Sequence, residues 1–229
     1  MKLSIFIQTF QRPHMLKDCL NFLQTNLLEN LKKIEYETLI GDDGSKDKET
    51  PVLIKNFNPT FLVINPDKKR FGPGYIMNQC YKKMTGDMVL HIEDDCWLTK
   101  AELTEDILLA MYDCLTKYPK MKLIKLDTAF QGKPTKERYT NGPYEFSLYS
   151  GTMYNYTNRP HVCLPKMWRE VGAYPENMSI WKLENTYAHK FNSKRFRSGR
   201  LITINEEERK GFFRNQGGDS TLKVPGVFK

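Results

Sequence analysis

Residues 87–95 read DMVLHIEDD, a run of strand-forming residues that ends in three adjacent carboxylates, Glu93, Asp94 and Asp95. A short apolar run bounded by polar residues is typical of a buried strand. Three neighbouring like charges repel one another and resist burial, so we expect the surroundings to supply a compensating cation. The stretch therefore predicts a strand with an acidic site at its carboxyl end.

Three runs of the same kind precede this strand: KLSIFIQ at 2–8, YETLIGDD at 36–43 and TFLVINP at 60–66. Helical patterns lie between these runs. One begins at Pro13, one covers about 48–56 and one covers about 74–84. The alternation of strands and helices indicates an α/β fold in which helices cover both faces of a mostly parallel central sheet.

The pattern becomes weaker after Asp95. A helix over 102–115 and a strand in MKLIKLD at 121–127 are clear. Beyond them we expect a hairpin in 142–156, helices in 164–172 and 183–191, and a late strand in RLITINE at 200–206. The Gly-rich, charged end of the chain predicts a mobile segment, and the absence of a linker predicts one domain over 1–229.

Composition limits the classes of function. The 229 residues carry 35 Lys and Arg against 27 Asp and Glu, and a formal charge of +8 favours phosphates and other polyanions as ligands. The basic residues are scattered and no nucleic-acid-binding motif accompanies them, so we expect no nucleic-acid partner. The five cysteines form no CxxC pair, which indicates reduced thiols and argues against zinc. Without a membrane-spanning run or signal peptide, the sequence predicts a cytoplasmic protein.

Polar stretches follow the four predicted strands: QTFQRP, DDGSKD, NPDKKRFGPG and EDDCWLT. Because the carboxyl ends of parallel strands meet at one edge of a sheet, these stretches are expected to lie together. Carboxylates combined with fixed cations suit a metal-bound diphosphate. The edge would carry Arg12, Asp42, Asp43, Lys69, Arg70, Glu93, Asp94 and Asp95.

Three stretches, at 4–23, 36–47 and 72–99, resemble the N-terminal signatures of family 2 glycosyltransferases with the GT-A fold, in that family's order and spacing. The resemblance implies a nucleotide-sugar-binding half over 1–100 and an acceptor-binding half over 101–229. It also implies that Gln8, Thr9, Phe10 and Arg12 hold the nucleotide base and approach the diphosphate. Asp43 would accept a hydrogen bond from uracil.

The EDD triplet matches the family's DxD-like element. The resemblance implies that Asp94 binds the ribose hydroxyls and Asp95 binds Mn²⁺ or Mg²⁺, while Glu93 occupies the variable first position. Breaking a sugar–diphosphate bond leaves negative charge on the nucleotide, which such a cation neutralises. Arg70 would add positive charge to the phosphates.

The catalytic base is the uncertain part of the resemblance. Family 2 enzymes generally invert the anomeric centre, and a carboxylate in an acidic ED pair deprotonates the acceptor. In this chain the pair reads Glu184 and Asn185. Asn185 cannot accept a proton, so Glu184 is the candidate base, with Asp127 and Glu176 as fallbacks. Alternatively, Glu184 is a helix-start carboxylate that interacts with backbone amides.

Three hypotheses about function follow. The first is the transfer of a hexose from a UDP-sugar to a glycan or other hydroxyl acceptor, with inversion. The second is a noncatalytic module that binds carbohydrate or polyanions, favoured by the +8 charge and by Asn185. The third is a sugar nucleotidyltransferase, which would need a Gly-rich loop where this chain has QTFQRP. For the tryptophans, burial in the core is expected over sugar stacking, for which Trp181 is the best candidate.

Overall fold

A mixed sheet of nine strands forms the centre of the protein. The structure is a computed structural model that describes residues 1–65, 71–98, 103–126, 134–149, 155–202 and 212–215. The strands are β1 Lys2–Thr9, β2 Glu35–Asp42, β3 Phe61–Ile64, β4 Met88–Glu93, β5 Cys96–Leu98, β6 Met121–Lys125, β7 Pro134–Asn141, β8 Tyr144–Tyr149, β9 His161–Cys163, β10 Arg197–Ile202 and β11 Phe213–Asn215. The helices are α1 Pro13–Asn26, α2 Glu49–Phe57, α3 Pro73–Lys83, α4 Glu105–Lys117, α5 Pro165–Val171 and α6 Ile180–Ser193, with a 3-10 turn at Leu28–Asn30.

The strand order across the sheet is β3-β2-β1-β4-β9-β6-β10-β8-β7. The first four strands are mutually parallel. β9 lies antiparallel between β4 and β6, β10 is parallel to β6, and β8 and β7 complete the sheet as an antiparallel hairpin. Among the described strands of this sheet, β8 and β9 therefore run against the other seven. This arrangement confirms the predicted α/β fold with a mostly parallel sheet.

Helices cover both faces of the sheet, as predicted. α1 begins at Pro13, whose missing N–H is not needed in a first turn, and it buries Leu16, Leu20 and Leu23 against one face. α2 and α4 contribute to the same apolar layer. α3, α5 and α6 pack on the other face around Met77 and Leu183. The sheet is thus held between two cores, and its strand ends remain available for a site.

Strands in the second half of the chain differ from the prediction. The predicted hairpin exists, but its turn lies at 142–143, so its first strand is β7, which the sequence did not indicate. β9 was also missed, together with β5 and β11, which pair with each other in a separate two-stranded sheet. The segment that was expected to be mobile contributes β11, and residues 216–229 lie outside the described part.

The cysteines and the helices bear on two expectations from composition, reduced thiols and the lack of a membrane-spanning run. The five cysteines are all free and buried, which confirms that they fill apolar space as thiols. Within the described ranges, no helix is long and apolar enough to cross a membrane.

Candidate active site

The ends of β1, β2 and β4 meet in a hydrogen-bonded junction. The backbone N–H of Asp94 donates to the carbonyl of Gln8 at 3.0 Å, and the N–H of Asp43 donates to the carbonyl of Thr9 at 3.2 Å. Three of the four stretches predicted to converge therefore do so, because neighbouring parallel strands end at the same edge. Residues 66–70 of the stretch after β3 lie outside the described residues.

Asp94 is fully buried and anchors the loop after β1. One carboxylate oxygen accepts hydrogen bonds from the Thr9 hydroxyl at 2.7 Å and from the Phe10 N–H at 3.3 Å. The other oxygen forms an ion pair with Arg12. Burial raises the pKa of Asp94 to about 6, although the charge of Arg12 and the Thr9 hydrogen bond lower it. Both oxygens of Asp94 thus have partners within the protein, and its contact with ribose stays a prediction.

Arg12 supplies the cation that the crowded acids were expected to need. Its guanidinium contacts Asp94 and also donates to Asp95, with Nη1 2.9 Å from Oδ2. Arg12 precedes α1 directly and follows Gln11, whose backbone has a positive φ of 53°. This turn of the chain brings the guanidinium back to the end of β4. The positive charge expected beside residues 93–95 therefore comes from Arg12 in the loop after β1.

Glu93, Asp95 and Cys96 form a group with metal-ligand spacing. One ligand atom from each lies within 4.8 Å of the others. Burial raises the pKa of the Cys96 thiol well above its usual range, and the charges of Glu93 and Asp95 raise it further. The two oxygen ligands in this group are the carboxylates of Glu93 and Asp95. Mg²⁺ and Mn²⁺ prefer oxygen ligands and usually take one or two from a protein, so the residues present fit the expected cation.

Glu184 lies in the second turn of α6. Burial raises the pKa of Glu93, and repulsion from Asp95 and then Glu184 raises it further, which links α6 electrostatically to the end of β4. The Glu184 carboxylate accepts a hydrogen bond from the Asn158 N–H at 2.8 Å. Its partner is thus a different segment of the chain. Glu184 does interact with a backbone amide, as the alternative to the base role expected, but this amide belongs to Asn158, and α6 begins four residues before Glu184, at Ile180.

Burial is the main influence on the ionisation of Glu184. It raises the pKa of the carboxyl, whereas the Asn158 N–H and the charges of Arg159 and Lys125 lower it. A half-buried carboxylate with a raised pKa is a better proton acceptor than an exposed one, which suits a general base.

The loop before α6 is clamped to α3. Asn78 accepts a hydrogen bond from the Tyr174 N–H at 2.9 Å and donates to the Glu176 carboxylate at 2.7 Å. A Cβ atom on Gly74 would stand 1.9 Å from the Pro175 carbonyl oxygen, so only glycine allows this approach. Asn78 thus joins α3 to this loop, and it holds Glu176, one of the fallback bases. The clamp fixes where α6 begins and thereby positions Glu184.

The two aspartates after β2 have different surroundings. Asp42 makes the turn, because its carboxylate accepts from the Ser45 N–H at 3.0 Å and from the Ser45 hydroxyl at 2.6 Å. Asp43 is buried beside Thr9. Asn65, which the sequence analysis did not single out, lies next to them and is 1% exposed. Neither side-chain polar atom of Asn65 has a hydrogen-bond partner among the described residues. It is a further candidate for contact with a nucleotide.

Three predicted site residues cannot be placed. Lys69, Arg70 and Asp127 lie outside the described residues. Trp181 is 72% exposed, so the expectation that it belongs to the core is wrong. It lies three residues before Glu184 on the same helix, and residues with this spacing are neighbours on a helix surface.

Two curated proteins, the same enzyme from two bacterial strains, are similar to part of this chain. Poly(ribitol-phosphate) beta-N-acetylglucosaminyltransferase TarS from Staphylococcus aureus strains Mu50 and MW2 is 26% identical over 106 residues, which are 46% of this chain and 18% of TarS. The chain therefore matches about a fifth of the length of these curated relatives.

Solved structures of the same relative have a similar fold. The crystal structure of S. aureus TarS 1–349 with UDP-GlcNAc has a TM-score of 0.59 and 16% identity, over 93% of this chain and 58% of that chain. The complex with UDP has a TM-score of 0.59 and 16% identity, over 93% of this chain and 60% of that chain. These likenesses support the GT-A fold.

A family model extends the comparison across most of the chain. The model described as Glycosyl transferase family 2 matches residues 4–164, from β1 to the end of β9. This region includes the first loop, both aspartates after β2 and the acidic triplet. Because the match covers well over half of the sequence, the chain belongs to glycosyl transferase family 2.

Proposed function

We propose that the protein is a metal-dependent glycosyltransferase that moves a hexose from a UDP-sugar to a hydroxyl group of a glycan or other acceptor, with inversion at the anomeric carbon. The observation that carries the proposal is the grouping of Glu93 and Asp95 with metal-ligand spacing at the end of β4, where the charge of Glu184 also raises the pKa of Glu93. A proton acceptor and a cation-binding pair at one strand edge are the two functions that this transfer needs.

The donor would bind across the first three loops. Asp43 and Asn65 are buried at the ends of β2 and β3, where polar groups suit a uracil ring. Glu93 and Asp95 would hold Mn²⁺ or Mg²⁺, which neutralises the charge that develops on the leaving diphosphate. Membership of glycosyl transferase family 2 supports a nucleotide-sugar donor, and the TarS complex with UDP-GlcNAc makes this the first donor to test.

Glu184 would act on the acceptor. Its carboxylate takes the proton from the acceptor hydroxyl while that oxygen bonds to the anomeric carbon, on the face opposite the diphosphate. The bond from the anomeric carbon to the diphosphate oxygen breaks, and UDP leaves with the bonding electrons. The Asn158 N–H holds one oxygen of Glu184 at 2.8 Å and so fixes the direction of the carboxylate.

A screen of nucleotide-sugars tests the proposal without knowledge of the acceptor. Slow hydrolysis is measured as UDP released from each donor, with Mn²⁺ or with EDTA. We expect release from a UDP-sugar that requires metal and is lost in Asp95→Asn. Asp113→Asn is the matched control, since Asp113 forms a surface ion pair with Lys117 on α4. Absence of UDP release, together with polyanion binding that moderate salt abolishes, would support the noncatalytic alternative instead.

A further inference from the structure

Arg12 occupies the carboxylate that the metal is proposed to use. Its guanidinium bridges Asp94 and Asp95, and the distance from Nη1 to the Asp95 oxygen is 2.9 Å. A divalent cation and a guanidinium repel each other when both lie at the same carboxylate. Arg12 holds one oxygen of Asp95, and its positive charge opposes the binding of a divalent cation to the same carboxylate.

We propose that Arg12 competes with the divalent cation for Asp95, and that the diphosphate of the donor draws Arg12 away so that nucleotide and metal bind cooperatively. This inference rests on the proposed function, because it needs a diphosphate and a metal at this site. Arg12 would bind the carboxylates of Asp94 and Asp95 before the donor arrives and the diphosphate of the donor afterwards.

The surroundings of Arg12 allow such an exchange. Its side chain is 37% exposed, whereas Asp94 is fully buried and keeps its hydrogen bonds from Thr9 and Phe10 when the guanidinium leaves. A diphosphate offers the planar guanidinium the same two-pronged hydrogen bonding that the carboxylates offer. When Arg12 moves, its guanidinium leaves two carboxylates and binds two phosphate groups. The carboxylate of Asp95 then becomes available to the metal.

Thermodynamic linkage turns this competition into a measurable coupling. If the nucleotide removes a competitor of the metal, it raises metal affinity, and the metal raises nucleotide affinity by the same factor. Part of the coupling arises from direct contact between metal and diphosphate. A substitution of Arg12 removes only the share of the coupling that comes from the competition for Asp95.

The test measures Mn²⁺ binding directly by electron paramagnetic resonance, with and without UDP. The variants are Arg12→Gln, Arg12→Lys and Asp95→Asn. We expect Mn²⁺ alone to bind Arg12→Gln about tenfold more tightly than wild type, equivalent to about 1.4 kcal/mol. The increase in Mn²⁺ affinity caused by UDP should be smaller in this variant. Arg12→Lys keeps the charge but cannot bridge two carboxylates, so we expect a gain of about threefold.

The outcomes separate this inference from the proposed function. Equal Mn²⁺ affinity in wild type, Arg12→Gln and Arg12→Lys, with loss of binding in Asp95→Asn, would overturn the competition and leave the metal site standing. Mn²⁺ binding that Asp95→Asn does not weaken would overturn both. Thermal melting of each variant shows that it is folded, and Arg12→Lys alone decides the matter if Arg12→Gln does not fold.

Discussion

Glu184 and Asn185 are neighbours in sequence but lie in different surroundings. The carboxylate of Glu184 is half-buried and oriented by the Asn158 N–H, whereas Asn185 is exposed on α6. Successive residues of a helix point about 100° apart, so the two side chains cannot serve the same site equally. The departure from the acidic pair at position 185 therefore leaves a carboxylate at position 184, whose charge raises the pKa of Glu93.

The first prediction concerns the base. Glu184→Gln should lower transfer about 10²–10⁴-fold, the usual contribution of a general base, while UDP affinity by calorimetry stays within about twofold. In wild type, turnover should fall as the pH decreases through the raised pKa of Glu184, because only the ionised carboxylate accepts a proton. Asn185→Asp is the matched control and should change turnover little. Near-normal turnover in Glu184→Gln would contradict the assignment.

The sequence predicted the acids of the site better than their partners. Glu93, Asp94 and Asp95 follow an apolar strand, so their position at a sheet edge depends on a local pattern alone. That Arg12 holds two of them depends on the backbone turn at Gln11, with its positive φ, and on the register of β1 and β4. Partners set by tertiary geometry leave no local signal in a single sequence.

Strands β1 and β2 are joined by a buried carboxylate at the end opposite the site. Glu37 lies directly across from Ser4 in the parallel register, and its oxygens accept from the Ser4 hydroxyl, the Thr85 N–H and the Thr85 hydroxyl, each at 2.6 Å. Lys2 adds an ion pair at 2.9 Å. Glu37 thus connects two strands with the turn that leads into β4.

The second prediction concerns this connection. Burial raises the pKa of Glu37, but hydrogen bonds from Lys2, Ser4 and Thr85 lower it to about 2. The ionised group therefore stabilises the fold at pH values above about 4.5, and this contribution is lost as the pH falls towards 2. We expect Glu37→Gln to lower the free energy of unfolding by on the order of 2–3 kcal/mol at neutral pH.

Urea titrations at several pH values check the second prediction. The difference in unfolding free energy between wild type and Glu37→Gln should shrink as the pH decreases from 5 to 3. Glu35→Gln is the matched control, because Glu35 is exposed two residues earlier on the same strand, and it should change stability by less than about 0.5 kcal/mol. A difference that is independent of pH would mean that packing, not charge, explains the loss.

Elements with long periodic patterns were predictable, whereas three-residue strands were not. Helices α1 to α4 and strands β1 to β4 follow apolar spacings that extend over several residues. β9 has only three residues, His161–Cys163, between Pro160 and Pro165. Its place in the sheet depends on the two flanking strands β4 and β6, which provide its hydrogen bonds. Such a strand exists because of tertiary pairing, and propensity alone gives no indication of it.

At the scale of the whole molecule, β9 joins the two halves expected from the sequence. It lies within residues 101–229, yet it pairs with β4 from residues 1–100 on one side and with β6 on the other. α6 also packs against α3 across the same boundary. The sheet therefore continues from one half to the other, and loss of β9 would expose the edges of both β4 and β6.

The third prediction is that the two halves unfold together. Val162 is fully buried in β9 and lies opposite both Leu90 and Ile124, so Val162→Ala should lower the free energy of unfolding by about 1–3 kcal/mol. Hydrogen exchange followed by mass spectrometry should show equal loss of protection in β1 and in β8, because both depend on one sheet. Val52→Ala, at a position 56% exposed on α2, should change protection in neither strand. A loss confined to β8 would show that the halves are independent folding units, and β9 would then be a peripheral addition to β4.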